Sequence, residues 1–318
     1  MNDIGKPDNM NERQILKKKI GDILNIKDLP DDLSISTITI CCALFIEFKV
    51  NNIAKYIELK NTSIVKISYG RADDPSTNRA LIPKKKHKKK KKTKRVFYNQ
   101  VSLSVMIESK KDKPINIKLF TNGSIQMTGC KNIENVIDVL EKIFVELKVV
   151  KAIVNLKTMK IDEVPFINDS EKLKLADIHN ITIGMINSNF EYPNHIDRLK
   201  LYNLLMGDTM ECKFDPSNHA CVNIKFYCQN KTISILVFEE GSIVITGAQN
   251  YNHILEAYNF INKYLLQNHK KIVKTNITIN DIVTGINTDD SNKILTKIKK
   301  TSIANKIKLD IDKLDQFL

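Results

Sequence analysis

The stretch "GSIVITG" (residues 241–247) has a near twin in "GSIQMTG" (residues 123–129), and a phenylalanine, Phe238 or Phe120, stands three positions before the first glycine of each. In the later copy a two-residue period sends Ile243 and Ile245 to one face of a strand and Val244 and Thr246 to the other. Helical spacing follows both copies: Ile133, Val136, Ile137, Leu140, Phe144 and Leu147 after the first, Ile254, Tyr258, Ile261 and Leu265 after the second. A turn, a strand and a helix written twice mark an internal repeat, and a repeat decides architecture before any motif does.

Further landmarks extend the repeat outward. "YNQVSLSV" from Tyr98 resembles "HACVNIKF" from His219 at a displacement of 121 residues, and "ISTITI" (35–40) resembles "IHNITI" (178–183) at 143, against 118 for the glycine turns. The first copy therefore carries about 22 extra residues before Tyr98 and about three between there and Gly123. Helical stretches "VNNIAKYIEL" and "HIDRLKLYNLL" follow the opening strands. Each unit reads strand, helix, strands, helix, an α+β arrangement with helices on one face of an antiparallel sheet. Two units related by a pseudo-twofold axis would form one continuous curved sheet with helices on its convex face. The expected organisation is an N-terminal extension (1–32), a first repeat (33–147) with an insertion at about 70–96, a connection (148–175), a second repeat (176–268) and a C-terminal extension (269–318) of helical character. Periodicity alone leaves open whether the helix-free face carries a ligand.

The 318 residues, 42% hydrophobic, can bury one large core or two ordinary ones. The formal charge of +14 is concentrated: "KKKHKKKKKTKR" (Lys84 to Arg95) holds ten cationic side chains in twelve residues, and about +4 remains without it. The six cysteines show no CxxC pair or regular framework, which reads as small buried apolar residues in a reducing compartment rather than a metal site. No apolar run reaches the length of a membrane span, and residues 1–30 are too charged for a secretory signal, so an intracellular protein is expected. A Gly-rich phosphate loop, HExxH and GxSxG are all lacking, and the six histidines have no ligand spacing, so no enzyme, cofactor, metal or small-molecule substrate is expected.

"FTNGSIQMTG" and "FEEGSIVITGAQ", with "IHN" opening the second unit, resemble the doubled signature of the TATA-box-binding protein family, the saddle-shaped general transcription factors. The resemblance covers roughly 35–147 and 176–267. It implies a concave face that meets the minor groove of A/T-rich duplex DNA, with aromatic wedges at its two ends. A face pressed into that groove needs small or apolar side chains, amides or hydroxyls toward the base acceptors, and flat apolar groups to unstack a step.

On that resemblance the groove floor comprises Thr37, Thr39, Lys118, Gln126 and Thr128 in repeat 1 and Asn180, Thr182, Leu236, Val244 and Thr246 in repeat 2. The wedges are Tyr98, Phe120, His219 and Phe238, with Phe97 in place of Tyr98 if the alignment slips by one. Lys118 and Gln126 stand where the family has apolar contacts, so repeat 2 has the better-preserved floor. The same resemblance gives Asp215 and Pro216 as the contact for a IIB-like initiation factor, with RNA polymerase as a further partner. A factor IIA contact is not expected, because the corresponding helix carries Glu134, Asp138, Glu141 and Glu146.

The lysine run falls in the loop before Tyr98. Lys84, Lys85, Lys86, Lys88, Lys89, Lys90, Lys91, Lys92, Lys94 and Arg95 read as a phosphate clamp, with an import signal or a charge tail as the other readings. The leading function is a DNA-bending initiation factor of a large DNA virus, acting in the nucleus or a cytoplasmic virus factory. The alternative is a protein-interaction platform with nonspecific DNA affinity through the lysine loop.

Overall fold

The computed structural model describes residues 11–24, 29–81, 96–155 and 158–274, with backbone alone at 111 and 112. The lysine run and nearly all of the C-terminal extension lie outside the described residues, as do the expectations placed on them. Repeat 1 consists of β1 (Ser34–Ala43), α2 (Val50–Tyr56), β2 (Ile64–Ser68), β3 (Gln100–Ile107), β4 (Lys110–Phe120), β5 (Ser124–Cys130) and α3 (Ile133–Leu147), preceded by α1 (Glu12–Leu24). Repeat 2 consists of β8 (His179–Glu191), α4 (Arg198–Gly207), β9 (Cys212–Lys213), β10 (Cys221–Cys228), β11 (Lys231–Phe238), β12 (Ser242–Ala248) and α5 (Tyr251–Gln267), followed by α6 (His269–Ile272). Between them, β6 (Lys151–Asn155) and β7 (Lys160–Val164) pair as a separate hairpin within the long connection.

Ten strands form one antiparallel sheet in the order β2-β3-β4-β5-β1-β8-β12-β11-β10-β9. The order reads as a mirror about the β1–β8 seam, each strand of repeat 1 facing its counterpart in repeat 2. This is the expected α+β fold with one sheet shared by both repeats. Alternation divides the faces: Ile125 and Met127 on β5, and Ile243 and Ile245 on β12, are at most 1% exposed, while Gln126 and Val244 between them are half-buried. Helices α3 and α5 cover the buried face. The first sets Val136, Ile137, Leu140, Ile143, Phe144 and Leu147 into it, the second Ile254, Ala257, Ile261 and Leu265. Each fully buried Ile or Leu contributes on the order of 2 kcal/mol relative to exposure. Both helices start at an asparagine: Asn132 accepts from the Asn135 N–H, and Asn250 from the His253 N–H.

The two glycine turns are forced by a backbone crossing. A Cβ on Gly123 would stand 2.2 Å from the Leu44 carbonyl oxygen, and one on Gly241 2.2 Å from that of Tyr192, both at φ near +90° (84° and 90°). The carbonyls of these glycines accept from the N–H of Leu44 and Tyr192, so each turn is stitched to the exit of the repeat's first strand.

That stitching corrects the sequence alignment of the opening strands. Gln126 stands opposite Cys41 and Val244 opposite Asn189, and Ile38 pairs with Cys130 as Ile186 pairs with Ala248. The displacement from β1 to β8 is thus 148 residues, as from Ile38 to Ile186, not 143. Thr39 corresponds to Asn187 and Thr37 to Met185; neither corresponds to Thr182 or Asn180. "ISTITI" and "IHNITI" have matching composition, but β8 carries register shifts at its β1 and β12 pairings that composition does not reveal.

Helix α1 supplies an element the sequence reading left unassigned. Leu16, Ile20 and Leu24 are buried, and the Arg13 guanidinium donates to Glu134, Asp138 and Glu141 on α3 at 2.6–2.8 Å. Glu12 accepts from the Leu175 N–H, and Lys19 donates to the carbonyls of Ala176 and Ile178. The helix therefore ties α3 to the segment entering β8.

Candidate functional site

The sheet face opposite α3 and α5 holds the candidate residues. Cross-strand pairs show which side chains share it. In repeat 1, Lys118 lies between Ser102 and Gln126, and Asn116 between Ser104 and Thr128. In repeat 2, Leu236 lies between Asn223 and Val244, and Ser234 between Lys225 and Thr246. A polar pair, Lys118 and Gln126, thus occupies in repeat 1 the place that an apolar pair, Leu236 and Val244, occupies in repeat 2. All four are half-buried, as expected for side chains shielded only by their cross-strand neighbours.

Near the seam the two halves match at the level of individual bonds. The Thr128 and Thr39 hydroxyls lie 3.3 Å apart, and the Thr246 hydroxyl donates to Asn187 Oδ1 at 2.7 Å. These are equivalent contacts, Thr39 and Asn187 being related by the 148-residue displacement of the opening strands and Thr128 and Thr246 by the 118 of the glycine turns. The same Thr246 hydroxyl lies 3.5 Å from Met185 Sδ. Thr37 faces Asn187 across the seam and Thr39 faces Met185, so threonines, amides and a thioether line the centre. Thr182 is exposed opposite Cys41 on this same face.

Asn180 is not part of this row. Its backbone is left-handed (φ 51°), and it lines a cleft with Lys19, Asp22 and Ile23 of α1. The amide of repeat 2 that joins the central cluster is Asn187. Sequence reasoning missed it because the match to "IHN" drew the alignment five residues away.

The wedge candidates sit at the ends of the face. Phe120 and Phe238 end β4 and β11 in the same parity as Lys118 and Leu236, opposite Gln100 and Cys221. Tyr98 and Phe97 are 59% and 54% exposed in the loop entering β3. Tyr69 packs edge-on against the Tyr98 ring (6.0 Å) and its hydroxyl donates to the Tyr98 carbonyl, while the Thr121 N–H donates to Asn99, joining this loop to the turn after Phe120. His219 is exposed, and its N–H donates to the Asp215 carbonyl at 2.8 Å.

Arg198, unremarked in the sequence, joins the two wedge loops of repeat 2. Its guanidinium donates to the Ala220 carbonyl, one residue past His219, and to Glu239, one residue past Phe238; it also lies 5.4 Å over the Phe214 ring. Val50 occupies the corresponding place in repeat 1, so only repeat 2 has this brace.

The Asp215 carboxylate caps its own loop, accepting from the Ser217 hydroxyl and N–H and from Asn218. These bonds, that of the Ser217 side chain foremost, hold its carboxyl below the usual carboxylate range. Pro216 beside it is exposed. The same turn occurs in repeat 1, where Asp74 accepts from Ser76 N–H and hydroxyl before Pro75-Ser76-Thr77-Asn78 closes the loop. The signal was present in the sequence as "DPSTN" beside "DPSNH". After it, residues 79–81 pair with β2 through the Arg79 and Leu81 N–H groups, and the lysine run follows.

Among the described residues no group of three or more His, Cys, Asp or Glu could hold a metal ion, and no helix is long and apolar enough to cross a membrane. Residues 180–268 match the family model described as "Transcription factor TFIID (or TATA-binding protein, TBP)". A protein of Acanthamoeba polyphaga mimivirus named "TATA-box-binding protein-like" is 40% identical over 256 residues, which cover 76% of this chain and 67% of that one. The solved structure "Methanococcus jannaschii TBP" aligns with a TM-score of 0.44 and 14% identity, covering 74% of this chain and 99% of that one. The viral relative's identity and coverage, with the family match on the second repeat, place this chain in the TATA-box-binding protein family.

Proposed function

We propose that the helix-free face binds duplex DNA in its minor groove, bends it, and nucleates transcription initiation. The observation that carries this reading is the content of that face: small, hydroxyl and amide side chains across the middle (Thr39, Thr128, Asn187, Thr246) and an aromatic ring at each end (Phe120, Phe238). Hydroxyls and amides suit the acceptor-only edge that A·T pairs present in the minor groove. Rings at the ends supply the apolar filler that an opened base step requires.

Repeat 2 carries most of the sequence preference, since its floor offers Leu236 and Val244 where repeat 1 offers Lys118 and Gln126. The Lys84 to Arg95 segment contributes phosphate contacts. Asp215 and Pro216 form a docking point for a IIB-like factor, supported by a carboxylate already held by its own loop. The mimivirus relative supports a role in the transcription apparatus of a large DNA virus, within the host cell.

The test is fluorescence transfer between dyes at the ends of A/T-rich and random duplexes, at moderate salt. A bend that depends on sequence is expected. Salt-sensitive association without bending would instead make the protein an interaction platform that holds DNA only by charge.

A further inference from the structure

A cleft of about 520 Å³ opens on the flank of repeat 1, between the start of β1 and the β4–β5 edge. Its lining includes Ser34, Ser36, Lys110, Lys113, Lys131 and Asn189, and every charged residue in the lining is a lysine. It is continuous with the helix-free face, because Ser34 pairs with Asn189 and the neighbouring Thr37 with Asn187. The Lys110 ammonium is held against the Gly129 carbonyl, which fixes one cation at the floor, while Lys113 and Lys131 are exposed at the rim.

Repeat 2 has no equivalent. Both hairpins turn through two residues, Glu108 and Ser109 in one and Gln229 and Asn230 in the other, but the β3–β4 hairpin has three more residues beyond its Val105–Ile115 pair than the β10–β11 hairpin has beyond Phe226–Ile233, and Lys110 lies in that longer end. Lys113 has a counterpart in Lys231, but Lys131 is replaced by Gln249, a displacement of 118 residues like that from Gly129 to Gly247. The Gln249 amide donates across the corresponding gap to the carbonyls of Ile183 and Gly184, at 3.2 and 3.4 Å. A neutral side chain thus spans on one flank what three cations surround on the other.

We propose that the repeat 1 cleft seats one backbone phosphate of the duplex lying on the helix-free face, and that the absence of a matching seat in repeat 2 gives the complex a direction. The inference rests on the minor-groove reading above. An ammonium triad suits a phosphate anion, because lysines act as mobile point charges with several N–H donors each. The Ser34 and Ser36 hydroxyls already donate to the carbonyls of Asn189 (3.3 Å) and Asn187 (3.1 Å), so the lysines supply the donors. The pseudo-symmetric sheet offers the duplex two opposite orientations. A contact available on one flank only favours one of them.

The experiment compares the full chain with the Lys113→Ala/Lys131→Ala double variant, and with Lys231→Ala as the repeat 2 control. Lys110 is left in place because it also holds Gly129. Binding to an A/T-rich duplex is titrated across salt. The double variant should lower the magnitude of the salt slope by about 0.9, the loss of one neutralised phosphate. Lys231→Ala should leave the slope unchanged, and site preference should stay constant in both, because phosphate contacts do not read bases. Single neutral methylphosphonates scanned along the duplex should weaken the full chain at one position, and that effect should vanish in the double variant. An unchanged slope with the duplex still bound overturns the seat. Equal losses in the double variant and Lys231→Ala overturn the asymmetry. If millimolar inorganic phosphate shields Lys131 from acylation as well as the duplex does, the cleft holds a free anion and the proposal falls. Failure of the unaltered chain to bind duplex at all is a separate result, and removes the minor-groove reading along with the seat.

Discussion

Replacing Gly241 by alanine tests the crossing on which each repeat is built. The new Cβ would lie 2.2 Å from the Tyr192 carbonyl oxygen and 3.0 Å from that of Asn194, both backbone atoms. Ordinary contact requires about 1 Å more on the first, so the loop after β8 must retreat from the turn. Retreat weakens the bond from the Tyr192 N–H to the Gly241 carbonyl (2.8 Å), a loss of about 1 kcal/mol. Holding alanine at φ 90° adds roughly 1 to 3 kcal/mol. The sum is about 2 to 4 kcal/mol before residual strain in the shifted loop. With a urea dependence of about 3 kcal/mol per molar, the unfolding midpoint should fall by roughly 1 M. Gly247→Ala is the internal control: its φ is 94°, but its Cβ would meet the nearest atom, the Thr232 oxygen, at 3.5 Å. It should lose only the same backbone share, roughly 1 to 3 kcal/mol, and so about 1 kcal/mol less than Gly241→Ala. Should Gly241→Ala cost no more than Gly247→Ala, the crossing is looser than the geometry requires and the reasoning fails. Gly123→Ala, with the Leu44 and Ile46 oxygens at 2.2 and 2.5 Å, should behave as Gly241→Ala does.

The remaining expectations concern the face and its supports. Asn187→Ala and Thr246→Val should flatten A/T preference in a site-selection experiment more than Thr37→Ala and Gln126→Ala, each lost contact costing roughly 1 to 3 kcal/mol; equal effects would remove the assignment of preference to repeat 2. Phe120→Ala and Phe238→Ala should reduce the bend measured by fluorescence transfer more than they reduce affinity, and Arg198→Met should reduce it at the repeat 2 end alone; an unchanged bend in all three would mean the rings do not open base steps. Deleting Lys84 to Arg95 should lower the salt slope by roughly 4 to 5, if about half of its cations meet phosphates at once, and an unaltered slope would falsify the clamp. The Glu134 carboxyl is held below its ordinary value by hydrogen bonds from Lys17 and then Arg13. Its contribution is therefore present above the ordinary carboxylate value and lost as pH falls through the lowered one. Thermal unfolding followed downward through that range should show a shallower acid decline in Arg13→Met/Lys17→Met than in the unaltered chain, and parallel declines would count against the grip. The effect should be small, since Arg13 and Glu134 are 37% and 41% exposed.

The duplicated unit was legible because a turn that crosses another strand at close range admits no side chain, so both copies keep the glycine although the strand each crosses is distant in the chain. The alternation in "GSIVITG" likewise assigned Ile243 and Ile245 to the core and Val244 and Thr246 to the open face. Strand register was another matter. "ISTITI" alternates much as "IHNITI" does, and which residue of β8 faces Thr37 is decided by bulges and by pairing with β12, partners distant in the chain. Asn180 was misjudged and Asn187 overlooked for that single reason. Helix α1 was illegible for a related one. Its anchoring ion pairs reach to residues 134–141, and nothing near Arg13 in the sequence announces them. The asymmetric flank depended on a three-residue difference in hairpin length, visible in the sequence but without meaning until Lys110 was seen beside Gly129.

The seam between β1 and β8 has a consequence for ancestry. Its ladder is antiparallel and crosses the pseudo-twofold axis, so each strand meets, in the other, a displaced version of itself. A chain holding a single repeat would present that strand as a bare edge, with amide and carbonyl groups unpaired. Another copy of the same chain, turned by half a revolution, would offer the complementary edge, and the two would cover it in a symmetric dimer. Joining such a pair end to end through residues 148–175 frees the halves from identity. One can then keep Leu236 and Val244 while the other acquires Lys118, Gln126 and a lysine-lined flank, which no strictly symmetric dimer could do.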